Sequence, residues 1–251
     1  MSTIPALPCR DSETSRSDRT IGSLVSSVRA FAYGARRHVN KAVQIAAVAL
    51  FAAPVWAEPV TVVALGDSLT AGYGLPDGQG FVPQLQGWLD AEGVDAVIVN
   101  AGVSGDTTAG GLARLGWSLT DDVDAMIVAL GGNDLLRGIP PQASRDNLDG
   151  ILSDVAGDRG LPVLLIGLEA PGNYGPAFKA AFDGMYPALA EAYDVLHETS
   201  FLAPLLADAT LEEARARYMQ ADGIHPNRDG VAVIVAALGP RVVELVAQAA
   251  Q

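Results

Sequence analysis

The sequence has little of what would cross-link a small protein or let it grip nucleic acid. Its one cysteine, Cys9, stands alone in 251 residues, so neither an internal disulfide nor a Cys-based zinc site can form. Lysine occurs only at Lys41 and Lys179, and neither follows a glycine as a P-loop requires. Sixteen Lys and Arg stand against 29 Asp and Glu, for a formal charge of −13. Such a chain has no basic surface to neutralise a run of phosphates, which excludes a nucleic-acid partner. G-x-G-x-x-G is absent, as is the G-x-S-x-G elbow of α/β-hydrolases, and His197-Glu198-Thr199-Ser200-Phe201 lacks the second histidine of a zinc-protease helix. No metal or other cofactor is expected. What is present, 49% apolar and 18% charged residues, is globular composition, too apolar for disorder.

Composition changes near residue 57. Arg36, Arg37, His38 and Lys41 precede a nearly charge-free run, Ala42 to Ala57, that closes on Val55-Trp56-Ala57. A basic flank, a short apolar stretch and a small final residue predict a secretory signal cleaved after Ala57. The run is shorter than the roughly 20 residues of a bilayer span. Arg36 to Lys41 partly resembles a twin-arginine signal, but Asn40 stands where an apolar residue is usual, so general secretion is the expected route. Residues 1–57 are thus read as an N-terminal extension plus signal, and 58–251 as a single domain. The leader takes seven basic and three acidic residues with it, leaving nine against 26, a charge near −17, no cysteine, and His197 and His225 as the only histidines. The expected product is a periplasmic or secreted monomer with no stable membrane insertion. A domain of this size buries roughly 70% of its unfolded surface, enough without cross-links.

In that domain, Val60 to Leu65, Val94 to Val99, Ala125 to Leu130 and Pro162 to Leu168 are short apolar runs, predicted to be strands buried on both faces. Helical spacing marks Phe81 to Ala91, Thr107 to Leu119, Gln142 to Ala156, Ala177 to Ala192 and Arg228 to Ala249. The alternation predicts an α/β fold with a parallel central sheet covered on both sides, and ligands beyond the carboxyl ends of the strands.

The polar residues cluster at those ends. Gly66-Asp67-Ser68-Leu69 follows the first strand, Asn100 to Thr107 the second and Gly131-Gly132-Asn133-Asp134 the third, while Asp222-Gly223-Ile224-His225-Pro226 precedes the last helix. A hydroxyl attacks a carbonyl only where a base takes its proton and a third group holds the base. Ser68 sits where a tight turn can present its hydroxyl, although a helix N-cap would also suit it. Asp222 lies three residues before His225, close enough for one turn to bring its carboxylate to Nδ1. An Asp-Gly turn with a helix cap is the plainer alternative. Gly105, with an outward backbone N–H, and Asn133, with a side-chain amide, are candidate oxyanion donors. His197 has no polar loop around it and is expected at the end of a minor strand.

These four ordered blocks resemble those of the SGNH hydrolases, also called GDSL esterases. The likeness is strongest to the bacterial periplasmic thioesterase, protease and lysophospholipase group, also known as arylesterases. It extends to Ser104-Gly105-Asp106-Thr107, Gly111 to Leu115, Leu136-Arg137-Gly138, Pro171 to Gly175 and Asp222 to Asp229. The resemblance implies a flavodoxin-like three-layer α/β/α fold. It further implies Ser68 as nucleophile, His225 as base and Asp222 as its orienter. The Ser68 and Gly105 amides and the Asn133 side chain would form the oxyanion hole. Leu135, Leu136 and Ile139, in a mobile loop, and Pro171 and Tyr174 opposite, would bind substrate. The implied activity is hydrolysis of short-to-medium acyl and aryl esters, and of thioesters. Lysophospholipase and polysaccharide deacetylase are the alternatives, and an acyl-chain binding protein on the same fold is the reading without catalysis. The partner is then a small-molecule acyl ester or lipid. Two departures bear on specificity: Gly102, often Ser in the group, is expected to loosen its loop, and Glu169-Ala170 replaces an expected basic and bulkier apolar pair.

Overall fold

The computed structural model describes residues 58–251. The proposed leader and Cys9 lie outside the described residues. The strands are β1 (Val60–Gly66), β2 (Ala96–Gly102), β3 (Ala125–Ala129), β4 (Val163–Ile166) and β5 (Leu196–Glu198). All pair in parallel in the order β2-β1-β3-β4-β5. Gly66 is level with Gly102 on one side and with Ala129 on the other, so the loops after β1, β2 and β3 start side by side. Because the chain winds from β1 toward β2 and then returns to β3 across β1, the ground beyond β1 is the switch point where α/β sheets bind ligands.

Every residue of β3 and β4 is buried, as the unbroken apolar runs predict for strands covered on both faces. Helices α2 (Phe81–Ala91) and α9 (Arg228–Ala249) pack on each other in one layer; α3 (Thr108–Ala113), α6 (Pro141–Leu152) and α7 (Pro176–Tyr193) form the other. The expected α/β/α sandwich is therefore present. Both α2 and α9 have the bounds that their apolar spacing predicts.

Three expectations need correction. The second strand starts two residues later than predicted and is not buried on both faces, since Val97 and Val99 are 45% and 42% exposed. It is the edge of the sheet, and Gln86 of α2 caps its free backbone there, donating to Ala96 O at 2.9 Å and accepting from Ile98 N at 2.8 Å. The helix expected over 107–119 breaks at Arg114 into α3 and α4 (Leu115–Ser118). The one expected to run to Ala156 widens from Ser153 into a π-helical turn ending at Asp158. Two helices were not anticipated: the short α5 (Gly132–Leu136) and the polar α8 (Leu211–Tyr218). The latter carries a legible start signal, the Thr210/Glu213 capping box.

Candidate active site

The chain leaves β1 at Gly66 and turns directly into α1 (Ser68–Ala71). Asp67, not Ser68, caps this turn, its carboxylate accepting from Leu69 N at 3.0 Å. The serine hydroxyl is thereby left for another partner. Its Oγ lies 2.8 Å from His225 Nε2, and His225 Nδ1 lies 2.6 Å from Asp222 Oδ2. The 222–225 turn assembles as the spacing predicts: Asp222 Oδ1 also accepts from Ile224 N at 2.9 Å and His225 N at 3.1 Å. The hydrogen bond from His225 is the main reason that the Asp222 carboxyl is held down at about 2. Ionised at neutral pH, it keeps the proton on Nδ1 and leaves the Nε2 lone pair facing Ser68. Tyr73, which sequence reasoning missed, stands with its ring 4.8 Å from the imidazole.

Gly105 lies in the loop after β2, its carbonyl accepting from Arg137 Nη2 at 2.8 Å. Neither its amide nor that of Ser68 donates to any backbone carbonyl among the described residues. Asn133, in the first turn of α5, directs its Nδ2 toward Asp67 Oδ2 at 3.4 Å. Burial pushes the Asp67 carboxyl up to about 6, against the opposing pull of the Leu69 N–H, the nearby His225 and Asn133.

Two arrangements lock these loops together. The fully buried Asp134 accepts from Thr108 N at 2.8 Å, Thr108 Oγ1 at 2.6 Å and Ser144 Oγ at 2.9 Å. This ties the Asn133 loop to the end of the Gly105 loop and to α6. Arg114, at the helix break, donates to Asp106 Oδ2 at 2.6 Å, Ala101 O at 2.7 Å and Gly66 O at 2.9 Å, joining β1, β2 and the Gly105 loop. Gly102 does not loosen this region, as its departure from serine suggested: a Cβ there would overlap the backbone of Ala71. The glycine is what lets β2 approach the short helix that carries Ser68.

A cavity of about 710 Å³ opens onto Ser68, Asn133 and His225. Leu135, Leu136, Pro171 and Tyr174 line it as expected, and so do the departures Glu169 and Ala170. Ile139 does not line it, although its amide is held by Asp134 O at 2.9 Å. A second stretch of apolar wall was missed: Leu202, Leu205, Leu206, Leu211 and Met219, from the segment after β5 and from α8. His197 is on β5, level with Leu165 and away from the cavity; its Nε2 is buried without a partner among the described residues, and burial lowers its pKa. Among the described residues no His, Cys, Asp and Glu group has a metal-binding arrangement.

The sequence and the fold have counterparts. The model of the GDSL-like lipase/acylhydrolase family matches residues 64–233. Esterase TesA of Pseudomonas aeruginosa is 42% identical over 167 residues, 66% of this chain and 79% of the relative. The arylesterase of Vibrio mimicus is 35% identical over 185 residues, 73% of this chain and 84% of the relative. Thioesterase 1/protease 1/lysophospholipase L1 of Escherichia coli K12 is 40% identical over 172 residues, 67% and 76%. The crystal structure of AlinE4, an SGNH-hydrolase family esterase, superposes with a TM-score of 0.60 at 42% identity, over 75% of this chain and 97% of that one. The chain belongs to the GDSL-like lipase/acylhydrolase family, the SGNH hydrolases.

Proposed function

We propose that this ester hydrolase cleaves short-to-medium acyl and aryl esters, and acyl thioesters, through an acyl-enzyme on Ser68. The observation that carries the reading is the unbroken relay from Ser68 Oγ through His225 to Asp222, 2.8 and 2.6 Å long, at the mouth of an apolar cavity. Ser68 Oγ attacks the acyl carbon as His225 Nε2 takes its proton. The carbonyl electrons move onto oxygen, where the Ser68 and Gly105 amides and Asn133 Nδ2 receive the charge, each such donor being worth about 3 kcal/mol of barrier. Collapse expels the alcohol or thiol, which takes the proton from His225. Water then repeats the sequence on the acyl-enzyme, releasing the carboxylic acid and free Ser68.

Leu135, Leu136, Pro171 and Tyr174 take the acyl chain in this reading. The leader is removed after Ala57 and the enzyme works in the periplasm or outside the cell. A lysophospholipid is the second reading, favoured by the length of apolar wall that Leu202 to Met219 adds to the cavity.

A fluorophosphonate probe and p-nitrophenyl butyrate test the first step. The protein should be labelled and turn the ester over, and Ser68→Ala should lose labelling and at least about a thousandfold in kcat. Labelling or full turnover by Ser68→Ala would overturn the assignment. Comparison of butyryl, decanoyl and lysophosphatidylcholine substrates then separates the two readings, and the N-terminal residue of protein recovered from the periplasm tests the cleavage site.

A further inference from the structure

Charge is distributed unevenly around the cavity. On the wall after β4, Lys179 is already engaged: it donates to Asp183 Oδ2 at 2.7 Å and to Ala170 O at 2.8 Å, with the carboxylate of Glu169 also felt there. Arg215, on α8, differs. It lines the cavity, yet it enters none of the ion pairs among the described residues. Its guanidinium lies against Gly223, where a Cβ would meet Arg215 Nε at 2.8 Å and Cζ at 2.9 Å. Gly223 also has φ +67, a conformation that side chains resist. Glycine at this place therefore allows both the 222–225 turn and the seat of the arginine. The result is an unpaired cation beside the turn that carries the base.

Its position relative to the reaction follows from the proton path. His225 hands its proton to the departing oxygen or sulfur, so the leaving group must pass His225. Gly223 and Ile224 immediately precede His225 and line the cavity with it, and the Arg215 guanidinium lies against Gly223. Building on the catalytic reading above, we infer that Arg215 makes this enzyme select esters whose departing alcohol or thiol carries an anionic oxyacid group, a carboxylate or a phosphate. A guanidinium matches either group with paired N–H donors. In a chain of formal charge −13, an anion is repelled over most of the surface, so a free cation at the leaving-group side creates a local preference that net charge alone would deny.

The test uses the purified full-length protein and three acetyl esters: 4-acetoxybenzoate, its neutral methyl ester and 4-acetoxyphenyl phosphate. The readout is the ratio of kcat/KM for each anionic ester to that for the methyl ester. Intrinsic reactivity differs among the three, but it cancels when a variant's ratio is divided by that of the wild type. Arg215→Gln should lower the ratio about fivefold, the size of an exposed charge pair, and Arg215→Glu should lower it further. Arg215→Lys should keep most of it, and salt at about 0.5 M should shrink the difference between wild type and Arg215→Gln. A fall with both anionic esters marks a charge reader, and a fall with only one names the group it reads. A ratio unchanged in both Arg215→Gln and Arg215→Glu would overturn the inference. Ser68→Ala, run in parallel on the methyl ester, separates the two layers: if it is inactive while the ratios stay flat, only the role of Arg215 is lost. If it remains active, the catalytic reading falls, and the leaving-group assignment with it.

Discussion

The polar rim, built from the loops beyond β1, β2 and β3 and the 222–225 turn, and the wall, built from Leu135, Leu136 and the segments after β4 and β5, meet at the same cavity but are made in opposite ways. The rim is polar and cross-braced: Asp134 takes three hydrogen bonds without exposure, Arg114 ties the ends of β1 and β2 to the Gly105 loop, and Gly102 lets two backbones touch. The wall is largely apolar: Leu and Met from short helices and turns line most of it, and its hydrogen bonds at Ala170 and Lys179 brace the segment after β4 and do not aim donors at Ser68. A transition state requires donors fixed to within tenths of an ångström, whereas an acyl chain requires only area and shape. Rim substitutions should therefore act on kcat, and wall substitutions on KM.

The largest expected effect lies on the rim. Asp222→Asn keeps the turn's shape but removes the charge that sets the imidazole tautomer, and kcat should fall about 10⁴-fold; a fall of less than tenfold would show that His225 does not depend on it. Asn133→Ala follows, with kcat down about 10²- to 10³-fold and KM little changed. If KM rose instead, Asn133 would belong with the wall.

Asp67→Asn probes what the rim costs in stability. With the folded value at about 6, above the ordinary 3.8, the unfolded chain loses this proton first as pH rises. The native state therefore loses stability between about pH 4 and 6, and the penalty is complete above that. Asparagine keeps a side-chain cap for Leu69 N without the charge. Thermal unfolding should show a gain on the order of 2 kcal/mol at pH 7.5, several degrees in Tm, and little gain at pH 4. Equal gains at both pH values would contradict burial as the cause. The smallest effect belongs to the wall: Leu202→Ala should raise KM for a decanoyl ester up to about tenfold with kcat unchanged. A loss in kcat alone would erase the contrast between the two regions.

The rim was readable in the sequence because each of its residues sits in a short polar block, beside a strand end or just before the last helix. Ser68 and Asn133 stand at the starts of α1 and α5, and Gly105, Asp222 and His225 in turns, within the blocks that single them out. The wall was read only in part. Leu135, Leu136, Pro171 and Tyr174 line the cavity, but Ile139 does not, and Leu202 to Met219 went unnoticed. A leucine that faces a cavity and one that faces the core are the same letter, and nothing local separates them. Arg114 shows the same limit: its helix was legible, but its break and its three distant acceptors were not.

By itself, the amino-acid order determined the alternation of strand and helix, the lack of any cysteine in residues 58–251, and the turn that pairs Asp222 with His225. These depend on residues within a few positions of one another, where periodicity and backbone geometry dictate the outcome. Only the tertiary structure decided that Ser68 lies 2.8 Å from a histidine 157 residues away, that Gly102 is a contact and not a hinge, and that Arg215 stands unpaired beside Gly223. The first two depend on the parallel register that aligns Gly66 with Gly102 and Ala129, the third on how α8 packs beside the 222–225 turn. That register arises from burying β1, β3 and β4 between two helix layers, a cooperative effect of the whole chain that no single segment encodes.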